Sequence, residues 1–221
     1  MRKPDFDVHG LAKPFLRGRI HAAALVAAVP AAVALVLAAP GAGRRLAAGT
    51  YGATLISLFA ASAAYHRFGG ADRARAWLRR LDHSSIYLLI AGSYTPVCFL
   101  SLSGWLRPTM LVTVWAAALI GVTLKLARFD SSNWIGAVLY IAMGWAAVVT
   151  LPAMLEVVPV STVALLVIGG VIYTAGAIVL GTHYPNPFPR VFGYHEVWHL
   201  MVVVAAAIQY VAIHDLVTRP L

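Results

Sequence analysis

The sequence predicts an all-α fold, and specifically a polytopic membrane protein built as a seven-transmembrane helix bundle. Three observations carry this expectation. Of the 221 residues, 61% are hydrophobic and 11% charged, where a soluble domain carries about 25% charged residues. Apolar runs close to the ~20 residues that cross a bilayer follow one another from residue 20 almost to the C-terminus. The breaks between them are short and rich in Pro, Gly, Asp, Ser and Asn, the residues that punctuate helices.

Seven spans are expected, over 20–39, 47–66, 82–102, 108–126, 134–151, 160–181 and 193–213. The first could be mistaken for a signal peptide ending near Ala38-Ala39-Pro40, but its apolar run is about 20 residues long, against about 7–15 in a signal-peptide core. Pro40-Gly41 separates it from the second span, and Gly69-Gly70 follows the second. The third is expected to begin at Asp82, and within it Ala91-Gly92-Ser93-Tyr94-Thr95-Pro96 predicts close helix approach and a proline kink. Ser103-Gly104 precedes the fourth span, Asp130-Ser131-Ser132-Asn133 the fifth, Pro159 the sixth and Pro185-Asn186-Pro187 the seventh. Trp77, Trp105, Trp134 and Tyr184 fall near span ends, as interfacial aromatic anchors do. With no internal repeat, residues 1–221 read as one domain whose residues 1–19 form a short basic segment.

Basic residues set the orientation. Thirteen Lys and Arg lie on the side of the N-terminus, five of them in the N-terminal segment and five between residues 67 and 80, against four on the other side. By the positive-inside rule the N-terminus is cytoplasmic and, after seven crossings, the C-terminus is outside. The net charge of +9 is therefore matched to anionic lipid at the cytoplasmic face, and no nucleic acid partner is expected. The single Cys98 excludes an intramolecular disulfide and argues against a thiolate metal cluster.

Candidate chemistry gathers at that same face. Ser62 and His66 are four residues apart, as are His195 and His199, so each pair shares one face of its helix. His66 ends the second span, Asp82 begins the third and His195 begins the seventh, and all three ends lie at one membrane depth. Three imidazoles with a fourth position left for water form the ligand set of a catalytic zinc site, although without a thiolate they suit several metals. Polar groups at such depth are costly and mark function.

Each residue has alternatives. The histidine pair also fits an interfacial helix start. Asp82 fits a helix N-cap or a base that takes a proton from water at the metal. Ser62 fits back-bonding to its own helix or a hydrogen bond to a bound carbonyl. His195-Glu196-Val197-Trp198-His199 also matches H-E-x-x-H, in which Glu196 would be the general base of a metalloprotease. Asp82 would then serve as a carboxylate ligand and His66 would have no role. His9, His21 and His214 are read as unconnected to the site, and His83 and His183 as solvent-facing interface residues.

Three blocks, Ser62-Ala63-Ala64-Tyr65-His66-Arg67, Asp82-His83-Ser84-Ser85 running on to Tyr94-Thr95-Pro96, and Gly193-Tyr194-His195-Glu196-Val197-Trp198-His199, resemble the bacterial hemolysin III family. That family is the bacterial branch of the adiponectin- and progestin-receptor-like seven-helix proteins. The resemblance implies Zn2+ on His66, His195 and His199, with Asp82 holding the water at the metal and Ser62 beside it. It also implies a place in the bacterial inner membrane. Through the related receptors and the alkaline ceramidases it implies hydrolysis of a ceramide-like amide. The expected function is thus zinc-dependent hydrolysis of a lipid acyl amide or ester, with membrane lipid as partner. Two readings from other classes stand beside it: a lipid sensor whose zinc is structural, and the cytolytic pore that the family name suggests.

Overall fold

The computed structural model describes residues 14–68, 72–127 and 133–220 and, except at 72, 133–135 and 137, their side chains. Among the described residues eight α-helices follow in order: α1 Arg19–Ala38, α2 Gly41–Phe68, α3 Asp72–Ser101, α4 Leu106–Ala127, α5 Asn133–Trp145, α6 Leu151–Val157, α7 Val160–Thr182 and α8 Tyr194–Thr218. A 3-10 segment, Ala146–Thr150, joins α5 to α6. Seven stretches are long and apolar enough to cross a membrane, the fifth being Val138–Val157, which runs through that segment. The protein is a multi-pass membrane bundle, as the composition predicts. Its outward faces are apolar, with Leu37, Leu46 and Val112 each more than two-thirds exposed.

The bundle is laid out by neighbouring pairs. α2 packs between α1 and α3, α3 packs on α4, and α7 packs on α8. α8 also touches α1, α2 and α3, so the last helix closes the bundle against the first three. The expected close approach in α3 is present. Ala91 is fully buried, and a Cβ placed on Gly92 would collide with the side chain of Thr54 on α2. α3 continues through Pro96. Two of the expected anchors of its flanks, Trp77 and Trp105, are exposed, as is Tyr184, while the side chain of Trp134 and residues Asp130–Ser132 lie outside the described residues.

Two elements differ from expectation. α3 starts at Asp72, not Asp82. The stretch from Asp72 to Leu81 is too charged for hydrocarbon, but it is rich in Ala, Arg and Leu, all strong helix formers, so it leaves the bilayer as helix rather than as loop. Asp82 is consequently an interior helix residue, and its N-cap reading falls. The fifth span, expected over 134–151, is broken by the 3-10 segment and extends to Val157.

A helix break in an apolar setting frees backbone groups that must find partners. Tyr94 of α3 supplies them. Its hydroxyl proton is shared between the carbonyls of Met143 (2.8 Å) and Gly144 (3.1 Å), and its oxygen accepts the N–H of Ala147 at 2.7 Å. At the opposite end of the bundle from residues 66 and 195, the buried guanidinium of Arg44 donates to the carbonyls of Val217 and Arg219 and caps the C-terminus of α8.

The Tyr94 arrangement predicts that Tyr94→Phe destabilises the detergent-solubilised protein by about 1–3 kcal/mol, the cost of stranding buried backbone groups. Thermal melting measures it, with circular dichroism to confirm that helix content is kept. A wild-type melting temperature would mean that the break is held by other contacts.

Candidate metal centre

The site is assembled from three helices and one strap. α2 brings Ser62 and His66 near its end, α3 brings Asp82, and α8 brings His195 and His199 from its first two turns. What aims α8 is its own N-terminus. Glu196 is the third helical residue, and one of its oxygens accepts the N–H of Gly193 at 3.0 Å. Its other oxygen pairs with the Arg17 guanidinium. A carboxylate is favoured at this end of a helix by the backbone dipole, and Glu196 is wholly buried there.

The chain before α1 completes the tie. The N–H groups of Phe15 and Leu16 donate to the carbonyls of Arg190 and Val191 at 3.0 and 3.1 Å. Asn186 Oδ1 accepts the Tyr194 N–H at 3.1 Å. Gly18 then turns into α1 with φ 74°, so close to α2 that a Cβ would lie 2.6 Å from His66 Cβ. Only glycine suits both that left-handed turn and that approach.

The three expected ligands converge. One nitrogen from each of His66, His195 and His199 lies within 4.8 Å of the others. His66 Nε2 and His195 Nε2 are 3.3 Å apart, and two nitrogens bound at about 2.0–2.1 Å to a tetrahedral ion would lie roughly 3.3–3.4 Å apart. The rings meet at steep angles, 61–78°, with centroids 4.5–5.0 Å apart, so their edges point inward rather than stacking. These three histidines could hold a metal ion.

The remaining expected residues adjoin them. Asp82 Oδ2 is 4.0 Å from His66 Nε2. Ser62 is buried with its hydroxyl directed at the Asp82 carboxylate and not bonded to its own helix backbone. Ser57, Ser85 and Ser93 all back-bond to their own helices, so Ser62 departs from the usual behaviour of serine in a span. The metalloprotease reading of Glu196 does not hold: both carboxylate oxygens are committed, one to the helix cap and one to Arg17.

His21 was missed. It is 3% exposed, its ring stacks on His199 with centroids 3.9 Å apart and planes 15° from parallel, and Phe59 meets it edge-on at 5.2 Å. The signal was available, since residue 21 begins the first span at the depth shared by residues 66, 82 and 195. His83 lies at the rim, its Nδ1 on the Arg79 carbonyl at 2.9 Å and 4.0 Å from Asp82. His183 ends α7 and meets Tyr194 edge-on, His214 is exposed at the far end of α8, and His9 lies outside the described residues.

Fold and site together define a multi-pass membrane protein of seven candidate spans with a histidine triad at one end of the bundle. The chain belongs to the family described as Haemolysin-III related, whose family model matches residues 9–210. It is 31% identical over 196 residues to Hemolysin-3 of Bacillus cereus, across 86% of this chain and 85% of that protein. It is 27% identical over 190 residues to the Hemolysin-3 homolog of Bacillus subtilis (strain 168), across 85% and 86%. Similarity reaches the human Monocyte to macrophage differentiation factor, 26% identical over 200 residues, across 87% of this chain and 79% of that protein.

The buried Arg17–Glu196 pair predicts that Arg17→Gln or Glu196→Gln alone costs about 3–5 kcal/mol, because each strands a buried charge. The double substitution should cost much less than the two combined. Thermal melting of all four proteins checks this, and an unchanged melting temperature in Glu196→Gln would remove the pair's assigned role.

Proposed function

We propose that this protein is a zinc-dependent hydrolase of a lipid acyl amide or ester in the bacterial inner membrane, with its centre on the cytoplasmic side. One observation carries the reading. Three imidazoles converge with a carboxylate, Asp82, close by but outside the three-ligand cluster. Three protein ligands with a position left open is the pattern of catalytic zinc, whereas structural sites are closed by a fourth.

His66, His195 and His199 would hold the ion. When bound, zinc supplies Lewis-acid polarisation of an acyl carbonyl. Asp82 acts as the general base, taking a proton from the attacking water. The Ser62 hydroxyl, uncommitted to its own backbone, donates to the substrate carbonyl oxygen as that atom gains charge. His21 of α1, stacked on His199 and backed by Phe59 of α2, walls that side of the site against bulk water.

A lipid substrate is supported by an apolar cavity farther along α3 and α8, lined by Val97, Leu151, Met154, Val163 and Leu166 with Gln209 at its edge, which suits an acyl chain. The bias of basic residues, thirteen against four, supports a cytoplasmic position for the site end.

The purified protein is expected to carry zinc and to release fatty acid from a panel of lipid amides and esters. Asp82→Asn should keep the metal and lose turnover by about 100-fold or more, the usual contribution of a general base. His66→Ala should lose stoichiometric zinc and the zinc-dependent rise in melting temperature. Metal loss in Asp82→Asn would make Asp82 a ligand. A zinc-loaded wild type that releases no acyl product would favour a sensor with structural zinc. Zinc-independent dye release from liposomes would favour lysis, the activity in the name of the Bacillus cereus relative.

A further inference from the structure

We infer that His21 is a positioning residue of the metal centre, its ring fixing the plane in which His199 presents a nitrogen to the ion. The inference rests on the reading of His66, His195 and His199 as metal ligands, and is independent of whether the centre hydrolyses lipid. The three ligand rings meet one another at 61–78°. His21 lies instead flat on the face of His199, 15° from parallel with centroids 3.9 Å apart. It is not part of the converging group of three nitrogens. It is placed to orient a ligand rather than to be one.

A metal ligand must be held in rotation as well as in place. The backbone of α8 fixes the Cα of His199, but its side-chain torsions remain to be set. A hydrogen bond to the second ring nitrogen is the common way to set them. The buried Nδ1 of His199 makes no close, well-aligned hydrogen bond with a described residue, whereas one face of the ring is covered by His21. A flat stack resists rotation, because turning either ring opens the contact or drives an edge into a face.

His21 is itself held. It is 3% exposed, Phe59 of α2 meets it edge-on at 5.2 Å, and its ring approaches the His199 backbone. Arg17, four residues before His21, pairs with Glu196, three residues before His199. The start of α1 and the start of α8 are thus joined twice, about one helical turn apart. Gly18, between the two joints, sits against His66. Chemistry favours the stack further once a metal is present. An ion draws electron density from the imidazole that holds it, and the face of an uncharged aromatic ring attracts such a ring as it attracts a cation.

The test uses the purified full-length protein in detergent, as wild type and as His21→Phe, His21→Leu and His21→Ala. Affinity for Zn2+ is read by competition with a chromophoric chelator, and ligand geometry by the visible absorption of the Co2+-loaded protein. Losing a contact that orients a ligand typically weakens metal binding about 10–100-fold. That loss is expected in His21→Leu and His21→Ala, with a shifted and weakened Co2+ spectrum. His21→Phe keeps a ring on His199 and is expected to match wild type in both readings, with His21→Tyr as a second ring replacement. Circular dichroism and melting of the metal-free proteins separate a lost ligand orientation from a lost fold. Unchanged affinity and spectrum in His21→Leu would overturn the inference. So would a loss in both ring variants as large as in His21→Leu, which would make an imidazole nitrogen the working part. A wild type that takes up neither ion would overturn the metal-centre reading and the inference with it. The hydrolase reading is decided by acyl release, which enters none of these measurements.

Discussion

The buried carboxylate of Glu196 is the contact on which the geometry of the site depends. Its two oxygens do separate work, one closing the cap at Gly193 and the other holding Arg17. The cap starts α8 at Tyr194, and so sets the rotation that turns His195 and His199 toward α2. The Arg17 pair draws the segment before α1 across the end of the bundle, where Gly18 packs on His66 and His21 stacks on His199. A carboxylate with no exposure is tolerable only when both oxygens are met in this way. The same feature explains why the α8 pattern misleads. H-E-x-x-H describes residue types, while the direction of the glutamate is decided by the helix end on which it sits.

Much of the architecture was legible because hydrophobic length is a direct physical requirement of crossing a bilayer. Seven runs became seven spans, and matching the ends of three of them brought Ser62, His66, Asp82, His195 and His199 together from positions up to 137 residues apart in the chain. The misses have a common cause. Where polarity changes without a change of backbone preference, hydropathy marks a boundary that the helix ignores, as at Asp72–Leu81. Where the backbone breaks inside an apolar run, as at Ala146–Thr150, nothing in the run announces it, because the partner that makes the break tolerable is Tyr94, on another helix. His21 was set aside through its basic neighbours, although its depth matched that of the ligands.

The polar groups of the bundle sort by how they are met. Most serines and threonines within the spans bond to their own helix backbone, as Ser57, Ser93 and Thr95 do. Others tie helices together: Trp115 to Thr95, Trp145 to Thr174 and Tyr210 to the Ala31 carbonyl. Those contacts need no ligand.

The exceptions are not scattered. Buried polar side-chain atoms that make no close, well-aligned hydrogen bond to a described residue belong to His21, Ser62, Arg80, Ser84, Tyr173 and His199. Apart from Tyr173, all lie within the turns around His66, Asp82 and His199 or against them. Random packing defects in a stable bundle would be distributed along its length and be few, because each is costly where water is scarce. A concentration of them at one end, beside a triad of converging imidazoles, has the form of a surface made to be completed by something the chain does not itself provide. That argues for ligands at this end independently of any likeness to other proteins.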